Sequence, residues 1–491
     1  MPTRVEVIRS IKSSDSPADS SFTAGWWTPR LAGPLIAAAV IRLSLLTVSL
    51  ARYGSSALSS ADTSSYLIPG RNLLLHGHFA ADGVPDLLRT PGYSLFLAIT
   101  SLAGLPAAAV ANVALSVFSV ILVYRLGKAV SGDDRIALGA AWIFAFEPLS
   151  VATSIVFLSE TLFLLLFLLS MERLSTFLQR RHLPVLAMAG VWLAAATFVR
   201  PVTYYLPVAL AVGLFFVLVR VPGLRWKAPA VLLISVLPWL AAWQIRNWVE
   251  TGYSGFSSAG DETLYSFVLP AVLGHVEHRS YMAERDEFGT IDFDNNSGQE
   301  YLFQPYLALH PEQAAWSQGQ RLAYMHTEAI RGIRAHYEVF LCSGFRALLN
   351  MVFYPGMYFD NRLHLVAPAH SAGSADEDWV RSRIMIVKEN LWAVASKALF
   401  LGVLLGMYLL AARGVLRGSI HNACLWLLLG TSLYLIALAV SVGQMGGGPR
   451  YRQPIMPFVC IFAAAGFRRA KANTQSCRVA DGAGAAALPE K

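Results

Sequence analysis

The chain has 491 residues, of which 55% are hydrophobic and only 14% charged, with a mean hydropathy of +0.49. A soluble domain has nowhere to bury that much apolar surface, since globular chains carry roughly a quarter charged residues, and the same figures exclude a disordered chain, a disulfide-rich secreted module and a fibrous repeat. The formal net charge of +8 does not point to nucleic acid, because the basic residues gather in short segments between apolar runs, a pattern of membrane topology.

A hydrocarbon core of about 30 Å calls for about 20 apolar residues in helix. Ten such runs are predicted, near 31–51, 106–124, 136–152, 156–171, 184–199, 201–219, 228–245, 391–412, 422–442 and 453–467, giving an all-α polytopic fold. A leader, 1–30, precedes the first span, which carries Arg42 and reads as an uncleaved signal anchor. Alternating the spans from a cytoplasmic start places Arg125, Lys128, Arg173, Arg180, Arg181, Arg220, Arg225, Arg413 and Arg417 on one side. That is the positive-inside rule, so both termini are expected in the cytoplasm and the chain in a cell membrane. The tail 470–491, rich in Ser, Ala and Gly, reads as a poorly ordered end.

Three further divisions follow. The stretch 31–245 is a transmembrane module that includes an outer loop, 52–105; 246–388 is long enough for a small extracytoplasmic domain; and 389–469 holds the last spans. Within the outer domain, 321–353 reads as helical and partly amphipathic. Because the inner loops are short and basic, an elaborated active site is expected on the outer face.

Asp62 opens a short helix in the first outer loop. Two roles are open to it: a cap for that helix, accepting orphan backbone N–H groups, or a general base. Arg71, Arg89, Arg200, Arg246, Arg450 and Arg452 flank span ends on the outer side against the usual sorting of basic residues. Each could be a snorkelling anchor, while together they suggest a site for an anionic group such as a phosphate. Glu160, near the outer surface of the fourth span, is either a partner for one of these arginines or a functional acid, and Glu147 is a weaker candidate of the same kind. Tyr66, Tyr93 and Tyr451 suit either anchoring at the interface or stacking on a sugar face. The run Gly446-Gly447-Gly448-Pro449 is either a flexible turn or a place where backbone approaches phosphate closely.

The order of motifs carries more than any one of them. Asp62 to Tyr66, then Arg89-Thr90-Pro91-Gly92-Tyr93-Ser94-Leu95-Phe96-Leu97-Ala98, Glu147-Pro148, Leu158-Ser159-Glu160-Thr161-Leu162-Phe163, Phe198-Val199-Arg200-Pro201, Ile245-Arg246-Asn247-Trp248 with Gly252, and Pro449-Arg450-Tyr451-Arg452-Gln453-Pro454-Ile455-Met456-Pro457 together resemble the C-fold (GT-C) polytopic glycosyltransferases. The branch they resemble is that of the protein O-mannosyltransferases and lipid A aminoarabinose transferases, over roughly 31–467. The resemblance implies an inverting transferase that moves one sugar from a polyprenyl-phosphate donor to a glycan, lipid or protein acceptor at the outer membrane face. Asp62 matches the family's catalytic aspartate, whereas Thr63 stands where relatives often carry a second acid. Arg89, Arg200, Arg246, Arg450 and Arg452, with Glu160, Tyr66 and Tyr93, are then the expected donor-phosphate and substrate residues, and membrane lipid the surrounding partner.

Other chemistries find less support. His76-Gly77-His78 with Asp62 is too sparse for a closed metal site, so no cofactor is expected, a divalent cation being the alternative. The acidic stretch Asp292-Phe293-Asp294-Asn295-Asn296-Ser297-Gly298 has its glycine one place late for a calcium loop and Phe303 where the closing Glu belongs. No phosphate-cradling Gly-Lys motif or dinucleotide fingerprint occurs. The rival functions are a polysaccharide ligase or polymerase using an undecaprenyl diphosphate donor, and a lipid or solute transporter.

Overall fold

The structure is a computed structural model that describes residues 28–60, 62–81, 83–279, 288, 306–354, 391–418, 420–442 and 448–467. The expected leader up to residue 27, the tail from 468, the acidic stretch 292–298 and residues 446–447 of the glycine run lie outside the described residues.

Helix forms in each of the ten apolar runs. The first span is α1 (Ala32–Tyr53), after which α2 (Thr63–His76) and α3 (Pro91–Thr100) build the loop 52–105. Between them lies a two-stranded antiparallel ladder of Ala80–Ala81 and Val84–Pro85, a small departure from the all-α expectation. Next come α4 (Leu105–Ser131) and the third apolar run, divided into α5 (Asp134–Ala145) and α6 (Pro148–Thr153). The division falls at Glu147-Pro148, where proline forces the preceding residue into extended backbone. The chain continues through α7 (Glu160–Arg180), α8 (Leu183–Val199), α9 (Leu206–Val217) and α10 (Lys227–Thr251). The segment 246–388 contributes α11 (Ala259–Thr263), α12 (Leu269–Val276), α13 (Gln318–Ala335) and α14 (Tyr337–Phe353), and the chain continues through α15 (Leu391–Leu416), α16 (Asn422–Val442) and α17 (Met456–Phe467). A 3₁₀ segment, Pro449–Ile455, leads into the last of these.

Among the described residues six helices are long and apolar enough to cross a membrane: Pro29–Leu58, Leu105–Ser131, Glu160–Arg180, Lys227–Thr251, Ala395–Leu416 and Ala423–Val442. This is an α-helical, multi-pass membrane protein. The other predicted spans are shorter, with α8, α9 and α17 having 17, 12 and 12 residues, about 26, 18 and 18 Å of helix against a 30 Å core.

At the centre stands α7, buried almost throughout, with α4 and α8 packed against it. Phe163 stacks on Phe167, which meets Phe458 of α17. Helix α13 begins with a reciprocal capping box between Ser317 and Gln320. Its apolar face, Leu322, Met325 and Ala329, buries against Tyr265, Leu269, Tyr306 and Leu87. Leu87 belongs to the loop 52–105, so this loop and the segment 246–388 share one small core.

Close backbone approach brings α3 to the end of α8. A Cβ on Gly92 would lie 2.6 Å from the Phe198 carbonyl oxygen, nearer than real Cβ contacts, so this position requires glycine. The approach sets Arg89, just before α3, on the same face as Arg200, just after α8.

Candidate active site

Asp62 stands immediately before α2 but does not cap it. An N-cap residue adopts extended backbone and bonds the second or third helical N–H, whereas Asp62 has φ −77° and ψ −13° and makes no capping bond. Its carboxylate turns to two guanidiniums instead. Arg89 Nη2 donates to Oδ1 at 2.7 Å and Arg450 Nη1 to Oδ2 at 3.1 Å. Burial works to raise this carboxyl, but Arg89 and Arg450 outweigh it and hold Asp62 well below the usual carboxylate range.

From Asp62 a continuous polar network runs inward. Arg89 also donates through Nε to Ser65 Oγ at 2.9 Å and through Nη1 to Tyr66 Oη at 3.1 Å, with its guanidinium 4.3 Å from the Tyr66 ring centroid. Tyr66 Oη and Ser159 Oγ lie 3.2 Å apart. Arg200 Nη1 donates to the same Ser159 at 3.3 Å and pairs with Glu160 Oε1 at 2.5 Å. Tyr93 is fully buried with its ring edge-on to Tyr66, 4.9 Å between centroids, and supports that ring from behind.

Beside this network opens a small crevice. Arg200, Arg450, Glu160 and Gln453 supply its polar lining, and Phe163, Val202 and Leu435 apolar wall. A cationic patch joined to an apolar wall suits a ligand with an anionic head and a hydrocarbon tail.

No protein-family model and no curated protein matches the chain. Among the solved structures similar to it are GT-C glycosyltransferases. The apo oligosaccharyltransferase of Archaeoglobus fulgidus is 13% identical, matching 91% of this chain and 51% of that one with a TM-score of 0.44. The AglB oligosaccharyltransferase of the same organism, in complex with an inhibitory peptide and a dolichol-phosphate, is 14% identical, with 91% and 50% covered and a TM-score of 0.42. ArnT of Cupriavidus metallidurans bound to undecaprenyl phosphate is 12% identical, with 88% and 77% covered and a TM-score of 0.37. The chain spans about half the length of the archaeal proteins.

The remaining expected site residues lie apart from the network. Arg246 donates to the main-chain carbonyls of Asp86 at 3.2 Å and Phe79 at 2.7 Å and pairs with Glu250 at 2.6 Å, so it fastens the loop 52–105. Arg452 is buried, and its Nη1 donates to the carbonyls of Met351 and Tyr354 at 3.1 and 2.5 Å, tying α14 to the last span. Glu147 caps α6 by accepting from the N–H groups of Leu149 and Ser150. His76 and His78 are exposed at the other end of α2 from Asp62, about 20 Å away by helical rise. Among the described residues no group of three or more His, Cys, Asp or Glu could hold a metal ion.

Sequence reasoning missed Ser65, Ser159, Gln453 and Asp86. Ser159 and Gln453 stood inside quoted motifs next to charged residues, but nothing in a serine or glutamine announces that it faces a site. Asp86 is buried and accepts from Arg89 N at 2.9 Å, which sets the turn presenting Arg89. The segment after α10 clamps that turn, with Ser258 N donating to Leu87 O and Ser257 Oγ to Leu88 O, both at 2.8 Å. Glu262, also buried, accepts from Ser258 Oγ.

Burial pushes Asp86 up to about 6 and Glu262 up to about 7. Both values lie above those of an unfolded carboxyl, so the stability they contribute is complete below about pH 4 and lost as pH rises through 6 and 7. The unfolding temperature of the detergent-solubilised protein is therefore expected to fall by several degrees between pH 5 and 7.5. Asp86→Asn combined with Glu262→Gln flattens that dependence. An equally steep profile in the double variant would show that other groups carry it.

Proposed function

We propose that the protein is an inverting glycosyltransferase that moves one sugar from a polyprenyl-phosphate donor to a glycan, lipid or protein acceptor at the extracytoplasmic face of the cell membrane, with both termini cytoplasmic. The observation that carries this reading is the pair of guanidiniums, Arg200 and Arg450, on the lining of a crevice whose other wall is apolar. Each is held by a carboxylate, Arg200 by Glu160 and Arg450 by Asp62, which Arg89 also meets. Two fixed guanidiniums suit the single phosphate group of a phosphodiester.

In this reading Arg200 and Arg450 bind the donor phosphate and Asp62 is the general base. As the acceptor hydroxyl attacks the anomeric carbon, its proton passes to Asp62, the carbon–oxygen bond to phosphate breaks, and the electron pair leaves with the polyprenyl phosphate. Fixed guanidiniums stabilise the charge developing there without reorganising water. The clamp on Asp62 also couples the two substrates. A phosphate that draws Arg450 toward itself leaves Asp62 with one guanidinium fewer, which raises its proton affinity when a base is needed. Glu160, by pairing with Arg200, fixes the aim of that guanidinium. Tyr66, between Arg89 and Ser159, joins the two halves of the site.

Acceptor choice is assigned to the outer domain, 246–388, because its helices pack on the loop that bears Arg89. Exchanging that domain is expected to change which acceptors are used while donor affinity stays within about twofold. Unaltered acceptor choice would remove this assignment. For the donor class, equilibrium binding of a polyprenyl-phosphate sugar and its polyprenyl-diphosphate counterpart to the reconstituted protein is decisive. The phosphodiester is expected to bind tighter, about tenfold for the one extra charge of the diphosphate, and tighter binding of the diphosphate would favour a ligase or polymerase.

A further inference from the structure

One wall of the crevice holds an amide whose orientation is decided by its neighbours. Gln453 is 1% exposed and donates through Nε2 to Thr153 Oγ1 at 2.8 Å. The hydroxyl proton of Thr153 is given to the Leu149 carbonyl at 2.9 Å, so only the amide NH₂ can supply the proton between Gln453 and Thr153. The amide oxygen is thereby left over. Gln453 Oε1 is buried and has no hydrogen-bond partner among the described residues. On the same lining, Glu160 is 3% exposed, and apart from the ion pair of Oε1 with Arg200 both its carboxylate oxygens are buried and without a hydrogen bond among the described residues.

Buried acceptors are normally satisfied, and each one left alone costs about 1–3 kcal/mol. Two of them beside one crevice call for donors brought by a ligand. Hydroxyl groups meet that need, whereas a carboxylate would add acceptors and a negative charge next to Glu160. The phosphate ligands Arg200 and Arg450 belong to the same lining, so an anion site adjoins a hydroxyl site, as phosphate adjoins sugar in a glycosyl phosphate.

We propose that Gln453 Oε1 and Glu160 Oε2 accept hydrogen bonds from the hydroxyls of the transferred sugar, and that this sugar is uncharged rather than a uronic acid. The proposal rests on the lipid-phosphate donor reading above and adds the part of the site that selects the sugar.

The test is equilibrium binding to the full-length reconstituted protein of three probes: undecaprenyl phosphate alone, the same lipid phosphate carrying a neutral hexose, and the same lipid phosphate carrying glucuronic acid. Wild type is expected to bind the neutral hexosyl lipid about 100-fold tighter than either other probe, roughly the worth of two hydrogen bonds. Gln453→Met is expected to bind the bare lipid as wild type does and to lose about tenfold of that preference. Equal binding of hexosyl and bare lipid by wild type, tighter binding of the uronosyl lipid, or an intact preference in Gln453→Met would each overturn the proposal. If wild type binds none of the three, the donor reading fails and this inference with it, whereas bare-lipid binding without sugar preference defeats the inference alone. Should Gln453→Met lose bare-lipid binding through misfolding, Thr153→Val, which removes the anchor aiming the amide, gives the same reading. Its expected result is a severalfold loss of hexosyl preference, and no loss contradicts the proposal.

Discussion

Asp62→Asn is expected to lower sugar transfer by about 100- to 10,000-fold, the usual contribution of a positioned general base, while the protein stays folded and still binds donor. Asn is as good an N-cap as Asp, so if capping were the whole role of this residue, the change would leave turnover alone. The backbone at Asp62 is already wrong for a cap, and both carboxylate oxygens are given to guanidiniums. Replacing the carboxylate leaves Arg89 and Arg450 without their shared counter-charge. Both are partly reached by solvent, 16% and 31% of their side chains being exposed, so the effect on folding is expected to be small beside the effect on chemistry. Transfer assayed at matched amounts of folded protein, with donor binding measured in parallel, checks this. Activity within a fewfold of wild type would assign the proton transfer elsewhere.

Removing Arg200 and Arg450 together is expected to weaken donor binding by about 100-fold or more, since each charge-assisted hydrogen bond is worth about 1.5–3 kcal/mol. The contrast with Arg246 and Arg452 makes the test specific. Arg246 and Arg452 spend their donors on main-chain carbonyls of Phe79, Asp86, Met351 and Tyr354. Their replacement by Ala is expected to lower the unfolding temperature and the folded yield, with donor affinity of the folded fraction little changed. Titration of labelled polyprenyl phosphate against each variant separates the two classes. Equal losses of affinity in all four single variants would contradict the division.

Hydropathy made most of the helices legible, because a bilayer imposes length and composition together and runs such as 105–131 can do little else. The third run was harder. Its composition continues through 136–152, but Pro148 stops one helix and starts another, with Glu147 as the cap. Within the site, Asp62, Arg89, Arg200 and Arg450 were legible as charged residues at the ends of apolar runs. Convergence was not, because Asp62 and Arg450 are brought together across most of the chain and only tertiary packing does that. Arg246 and Arg452 carry the same charge at similar places in the sequence, and what separates them from Arg200 and Arg450 is which acceptors their guanidiniums meet. Ser159 and Gln453 matter through single hydrogen bonds, for which composition and spacing hold no signal.

The central claim is that Asp62 serves a transfer from a lipid monophosphate held by Arg200 and Arg450. Single-turnover release of bare polyprenyl phosphate from a panel of labelled polyprenyl-phosphate sugars, in proteoliposomes supplied with envelope acceptor extract, tests it most directly. Wild type is predicted to release one lipid phosphate for each sugar transferred, and Asp62→Asn to bind the same donor and release almost none. Equal release by both proteins, or sugar transfer only from the diphosphate-linked counterparts, would contradict the account.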